Sequence, residues 1–350
     1  MALTVNTNMS SLIAQRSLNN ATNAMNTSIE RMTTGYKINH SKDNAAGYSI
    51  ANKWDTQLSS LDVAADNAAT GMDLLTTAEE TYSLLTGHLQ RVRDLTEQAA
   101  NGTYGSGSLK SIQAEVYARL QEISRISANS EFNGIKLMAY DMDAGDGAAV
   151  NSKVGITSAG INLQVGLYAD ENSTINLNIK CFSNASVSGL FNGLKSATNA
   201  TGAKLEDLLN NANKTGETYS LNSKGGMEAF AAACCGLVLS EYDETTETGS
   251  YVLNTDSKYT AKEMLEFVDL AIDDISQRAT KIGATQNRID SAMEALDVQS
   301  QNLTSSLSTL RDTDVTAESS TYIQQQILQQ ASSTLLSTAN QLPSIALNLI

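Results

Sequence analysis

From Ile275 the apolar positions advance in alternating steps of four and three, through Ala279, Ile282, Gln286, Ile289, Met293, Leu296, Ser300, Leu303, Leu307 and Leu310. About five heptads with two polar interruptions predict one long coiled-coil helix, in which Gln286 and Ser300 weaken the seam and set its register. The N-terminal half mirrors this pattern. Leu18, Ala21, Met25, Ile29 and Met32 form a first stripe, closed by Gly35, a residue suited to a left-handed helix end. The polar stretch "GYKINHSKDN" follows, and either Asp43 or Asn44 can cap the next helix. Its seam runs Trp54, Leu58, Leu61, Ala65, Ala68, Met72, Leu75, Tyr82, Leu85, Leu89, Val92 and Leu95, and stops at the glycine-rich "NGTYGSGS". A third helix carries Leu109, Ile112, Val116, Leu120, Ile123 and Ile126 as far as the turn "EFNG".

The C-terminal stretch "YIQQQILQQASSTLLSTANQLPSIALNLI" is different in kind. Ile323, Ile327, Ala331, Leu335 and Ala339 lie four apart, Leu328, Leu336 and Leu342 widen the stripe, and no charge interrupts it. Ordering about twenty residues costs roughly 20–40 kcal/mol, whereas burying some seven apolar side chains returns about 10–20 kcal/mol. Such a helix needs a large surface to lie on, either elsewhere in the chain or on another copy of it. No strong helix breaker separates it from the long heptad run, although "RDTDVTAESS" loosens the pattern.

The middle changes character. Residues 139–160 are small, glycine-rich and loop-like, and "INLQVGL" with "STINLNIK" alternate around "YADEN" as a β-hairpin does. Residues 189–257 keep no sustained period and read as a small separate domain of mixed or β character. The fold class is therefore mainly α. The N- and C-terminal regions form a long helical coiled-coil bundle, with a β-hairpin and a small mixed or β variable outer insert.

Composition narrows the function. The 350 residues carry a net charge of −15, which disfavours nucleic acid and anionic membrane surfaces as partners. A single proline and 5% aromatic residues suit long, thinly packed helices. No apolar run is long enough for membrane insertion, and the opening "MALTVNTNMSSLIAQRSLNN" lacks the basic and apolar regions of a cleaved secretory signal. Cys181, Cys234 and Cys235 have no metal-ligand spacing, and no disulfide framework is expected. His40 and His88, the two histidines, flank no HExxH motif. They read as a loop residue and a helix-surface residue. "DMDAGDGAAV" lacks the spacing and closing glutamate of a calcium loop. No P-loop, GxSxG or GxGxxG motif appears. No catalytic, cofactor or metal site is expected, and the chain does not read as an enzyme.

Several long segments resemble the terminal regions of bacterial flagellins. They are "ERMTTGYKINHSKDNAAGYSIANKW", "LQRVRDLTEQAANGT", "SIQAEVYARLQEISRISANSEFNGIKL", "KIGATQNRID" and "QQQILQQASSTLLSTANQLP". The similarity covers roughly residues 1–138, the hairpin near 161–180, and 260–350. It implies a filament subunit that polymerises with itself and is exported unfolded by the flagellar type III apparatus into the extracellular filament. A flagellar export chaperone, a filament cap and junction proteins are the implied partners. Residues 1–43 and 304–350 would form the innermost coiled coil, 44–188 and 258–303 the helical layer around it, and 189–257 a variable, surface-exposed domain. Leu18, Met25, Ile29, Ile327, Leu328, Leu335 and Leu342 are the candidate assembly seam.

The stretch "LQRVRDL" also resembles the segment read by the vertebrate flagellin-sensing Toll-like receptor. Carried over position by position, Leu89, Gln90, Arg91, Arg93, Leu95 and Glu115 become candidate contacts. Without the resemblance, Arg91 and Arg93 read as a solvated face paired with nearby acids. The sequence departs from the family pattern in its cysteines, in Thr285, where relatives often carry an apolar residue, and in ending "LNLI" without an arginine. Two other functions fit the pattern less well. One is a hook–filament junction protein with flagellin-like ends, and the other is an insert with adhesive or enzymatic activity.

Overall fold

The computed structural model describes residues 8–138, 161–168, 170–177, 184–192, 224–243, 248–253 and 261–348. In chain order the elements are α1 (Met9–Thr34), α2 (Ala45–Ala100), α3 (Ser106–Asn129), β1 (Glu131–Phe132), β2 (Ile135–Lys136), β3 (Ile161–Gln164), β4 (Thr174–Leu177), α4 (Val187–Asn192), α5 (Lys224–Cys234), β5 (Leu237–Asp243), β6 (Thr248–Leu253), α6 (Ala261–Arg311) and α7 (Val315–Asn348). Three antiparallel two-stranded ladders, β1–β2, β3–β4 and β5–β6, are the sheets among the described residues. The mainly helical class holds, as does the β3–β4 hairpin, which pairs Ile161 with Leu177 and Gln164 with Thr174. The expected loop at 139–160, the calcium-like "DMDAGDGAAV" within it, and Cys181 lie outside the described residues. The chain divides into two units, residues 1–63 with 296–350, and residues 64–295.

In the first unit, α1 and α7 pack side by side and antiparallel, Asn8 Nδ2 donating to Ala339 O at 2.7 Å and Arg31 reaching Glu318 at 3.7 Å. Gly35, at φ +78°, ends α1 by donating its N–H to the Arg31 carbonyl, as the pattern predicted. Asn44 rather than Asp43 caps α2, accepting from the Gly47 N–H at 2.9 Å. Asp43 instead accepts from the Asn39 and His40 N–H groups and folds the loop onto itself. Those hydrogen bonds, His40 first, hold its carboxyl below the ordinary 3.8. The loosened segment before α7 is a complete break. Asp314 caps the new helix through the Thr316 and Ala317 N–H groups. The two helix breaks clasp one another. Lys37 N–H donates to Arg311 O at 2.7 Å, Thr313 N–H donates to Gly35 O at 2.8 Å, and the Arg311 guanidinium lies 4.2 Å from the Tyr36 ring centre while pairing with Asp55.

In the second unit, the predicted seams of α2, α3 and α6 form the core. Leu75, Tyr82, Leu85, Leu89, Val92 and Leu95 of α2 pack with Val116, Leu120 and Ile123 of α3 and with Ile275, Ile282 and Ile289 of α6. Gln286, the polar seam position, donates to Glu79 at 2.9 Å, so the interruption is satisfied by a hydrogen bond. Gly71 lets the hairpin lie on α2: a Cβ there would collide with the Leu163 side chain of β3.

Within the region expected to form a separate insert, 189–257, several described residues lie against the helical core. α5 packs on α3, and Phe230, Ala231, Ala232, Cys234, Cys235 and Leu237 belong to the same buried cluster as the three long helices. The rings of Phe191 and Phe230 sit 4.4 Å apart, tilted by 49°. The buried Arg278 pairs with Asp274 at 2.6 Å and donates to the Asn184 carbonyl, tying the α4 approach to α6. The physical reason is the density of apolar atoms in "FAAACCGL", which needs burial and finds it on the flank of the long helices.

Candidate assembly and recognition surfaces

The terminal pair does not use the stripe that the spacing picked out. On α7, Glu318, Tyr322, Gln325, Gln329, Ser332, Leu336 and Ala339 are half-buried or buried, a four-three alternation of mostly polar and small residues. They face Ser11, Ala14, Leu18, Ala21, Met25, Ser28 and Met32 of α1, which follow the same alternation. Small side chains let the backbones approach, and polar ones bond across the pair. Ser11 Oγ lies 2.7 Å from Asn340 Oδ1, and Gln329 Nε2 donates to Thr22 Oγ1 at 3.2 Å.

The apolar stripe of α7 faces outward, with Ile323 51% exposed, Ile327 60% and Leu335 63%. The reason is angular. Steps of four advance about 400° at 3.6 residues per turn, so the stripe drifts by about 40° per step and reaches the paired face only near Ala339. Of the candidate seam residues, Leu18 and Met25 sit half-buried against α7. Ile29, Ile327, Leu328 and Leu335 are exposed, and the Leu342 side chain lies outside the described residues. Met9, Leu12 and Ile13, which the heptad reading passed over, expose a second apolar patch at the start of α1. Ser319 through Ile350 include no Asp, Glu, Lys, Arg or His. A helical stretch without charge and with large apolar side chains in water is the signature of a surface that another molecule covers.

The second candidate lies on the flank of α2 facing α3. Gln90 and Arg91 are exposed, while Arg93 and Glu115 are half-exposed. Leu89 and Leu95 are not surface residues: both are buried in the three-helix core, so a protein partner cannot touch them without unpacking it. Their helical spacing from Val92 and Leu85 puts them on the seam. Of these residues Glu115 joins Arg91 alone, and Arg93 turns instead toward α6. Glu115 accepts from Arg91 Nε at 2.9 Å and from the other arm of the same guanidinium at 2.8 Å, and lies 3.9 Å from Arg119. Arg93 pairs with Asp269 at 2.6 Å and with Glu97 at 3.2 Å. The hydrogen bond to Asp269 is the main cause that raises the Arg93 pKa and keeps the guanidinium charged. Exposed pairs of this kind add little to stability, so a partner can exchange them.

His40 is a loop residue, 2.8 Å from Glu30. Cys234 and Cys235 are free and buried. Among the described residues no group of three or more His, Cys, Asp or Glu is placed to hold a metal ion, and no helix is long and apolar enough to cross a membrane.

Comparison with known proteins agrees with this geometry. The family described as the bacterial flagellin N-terminal helical region matches residues 5–142, and the bacterial flagellin C-terminal helical region matches residues 265–350. Polar flagellin F of Vibrio parahaemolyticus is 33% identical over the full length of both chains. Flagellin D of Vibrio anguillarum is 33% identical and flagellin D of Vibrio cholerae 34% identical, each again over both whole chains. The matched regions contain both helices of the terminal pair and most of the three-helix core. The chain belongs to the bacterial flagellin family.

Proposed function

We propose that this flagellin assembles through the outward apolar faces of α1 and α7, left uncovered in the single chain and covered by neighbouring copies. As a flagellin it is a structural subunit that polymerises with itself into the extracellular flagellar filament. The observation that carries the proposed interface is the exposure of Ile323, Ile327, Leu328 and Leu335 on a helix that carries no charge from Ser319 onward and whose inner face is mostly small and polar. The thin α1–α7 seam also supports export as an unfolded chain by the type III apparatus, because little burial has to be undone. An export chaperone and the cap and junction proteins would engage the same terminal helices before and after transit. Leu190, Phe191, Phe230, Cys234, Cys235 and Leu237 pack into the core, which supports a surface-exposed variable portion narrower than the whole of 189–257. Gln90, Arg91, Arg93 and Glu115 present the face for the flagellin-sensing Toll-like receptor, with Leu89 and Leu95 as its buried supports.

The test is Leu335→Asp. At 63% exposure the change leaves the monomer's melting curve nearly unmoved, whereas a carboxylate buried between copies without a partner costs several kcal/mol. At about 1.4 kcal/mol per tenfold, the critical concentration for polymerisation rises by roughly 100-fold or more. Normal filament growth by Leu335→Asp would remove this face from the interface. The junction-protein alternative predicts a trace band in sheared filaments, where a filament subunit dominates the mass.

A further inference from the structure

An open cavity of about 480 Å³ lies in the first unit beside the chain's single tryptophan. Trp54 and Ile38 form its apolar wall, and Ser306, Thr309 and Leu310 of α6 close the opposite side. We infer that this cavity is a socket for apolar side chains of a second copy of the chain.

Ile38 is 4% exposed and makes a firm floor. Ile50 stands one helical turn before Trp54 on the same face of α2 and is exposed, extending the apolar rim. The walls are held by the clasp between the helix breaks, and by Arg311 pairing with Asp55 one residue beyond Trp54. The site is therefore formed before anything binds, as a receptive pocket should be.

No carboxylate lines the cavity. Its one cation, Lys37, donates from Nζ to the Thr309 carbonyl at 3.2 Å. A charged ligand gains little there. A cavity of roughly 150 Å³ already takes a benzene-sized guest, so this one has room for two or three large aliphatic side chains.

The occupant follows from charge. Two copies at −15 each repel one another, so they approach most easily through uncharged surface. The longest uncharged stretch is Ser319 to Ile350, and its Ile323, Ile327, Leu328 and Leu335 stand in water on the same unit as the cavity. A neutral socket and a neutral apolar stripe are complementary, and self-association supplies the copy. The inference rests on the filament reading above.

Because Trp54 is the only tryptophan, its emission reads the cavity alone. Full-length protein is assembled, filaments are separated from monomer by sedimentation and verified by electron microscopy, and acrylamide quenching is measured on each. The quenching constant should fall about threefold or more in the filament as the indole leaves water, with a blue shift in emission. Ser306→Phe, which fills the cavity, should raise the critical concentration by about tenfold with an unchanged monomer melting curve, while Ser306→Ala should assemble as wild type. Filaments in which Trp54 is quenched as in the monomer, or a Ser306→Phe chain that assembles normally, would overturn the socket and leave the filament reading standing. A wild-type chain that never polymerises would overturn the filament reading itself.

Discussion

Phe230→Ala separates an insert that merely hangs from the helices from one that completes their core. Phe230 has no solvent exposure and lies against Phe191 with ring centres 4.4 Å apart. Truncating a fully buried Phe costs about 3–5 kcal/mol, of which the ring pair itself supplies about 0.5–1.5. With a urea dependence of about 2–3 kcal/mol per molar, the unfolding midpoint of the 64–295 unit should fall by about 1–2 M in circular dichroism. A double-mutant cycle with Phe191→Ala should return the ring-pair energy as its coupling. The two buried thiols give an independent readout, measured with Cys181→Ser as background. Burial pushes the Cys235 thiol up to about 12, and burial followed by the neighbouring Cys235 raises that of Cys234. The thiolate is the reactive form, so a disulfide reagent at pH 8 attacks the wild type only through opening of the unit. The variant should react roughly 100-fold faster or more if the lost energy stabilised the closed state. A midpoint shift below about 0.3 M, about a fifth of the expected energy, together with unchanged thiol reactivity would refute the shared core. It would return 224–237 to an independent body.

Removing 190–257 outright, by joining Gly189 to Lys258, should expose the α3 flank and give a less stable chain than wild type, measurable by thermal melting. Gly→Ala in a helix ordinarily stabilises by up to about 1 kcal/mol; Gly71→Val should instead destabilise by about 1–3 kcal/mol, because its side chain meets Leu163 of the hairpin. An unchanged melting temperature would show that β3 does not rest on α2 there. Arg91→Ala should lower activation of the flagellin receptor by at least about tenfold with little change in folding, as loss of one interface anchor does. Equal potency would remove Arg91 from the contact. Asp43 has a depressed pKa, so its contribution is complete above the ordinary 3.8 and is lost as pH falls through the lower folded value. The Asn39 and His40 amide resonances should titrate with a midpoint below 3.8, and Asp43→Asn should abolish that titration.

The long helices were legible because their patterns admit one reading. Seams of Leu, Ile, Val and Met at three-four spacing in α2, α3 and α6 lose much solvation free energy if they face water, so the buried face is decided locally. Gly35 and the alternation of "INLQ" with "TINL" are equally local, since backbone geometry selects them whatever surrounds them. The candidate surfaces were only half legible. Arg91 and Gln90 stay outside because the seam turns them outward, and the same rule buries Leu89 and Leu95 despite the family resemblance. α7 has no such dominant face. With Ser, Thr, Gln and Ala around most of its circumference, several faces have nearly equal burial energy. Its register against α1 is therefore chosen by close approach of Ala14, Ala21, Ser332 and Ala339 and by hydrogen bonds such as Gln329 to Thr22. The placement of α5 on α3 and the clasp of Tyr36 with Asp312 depend on residues far apart in the chain. Local periodicity carries no information about such pairs, because their energy exists only once the tertiary fold has brought the two segments together.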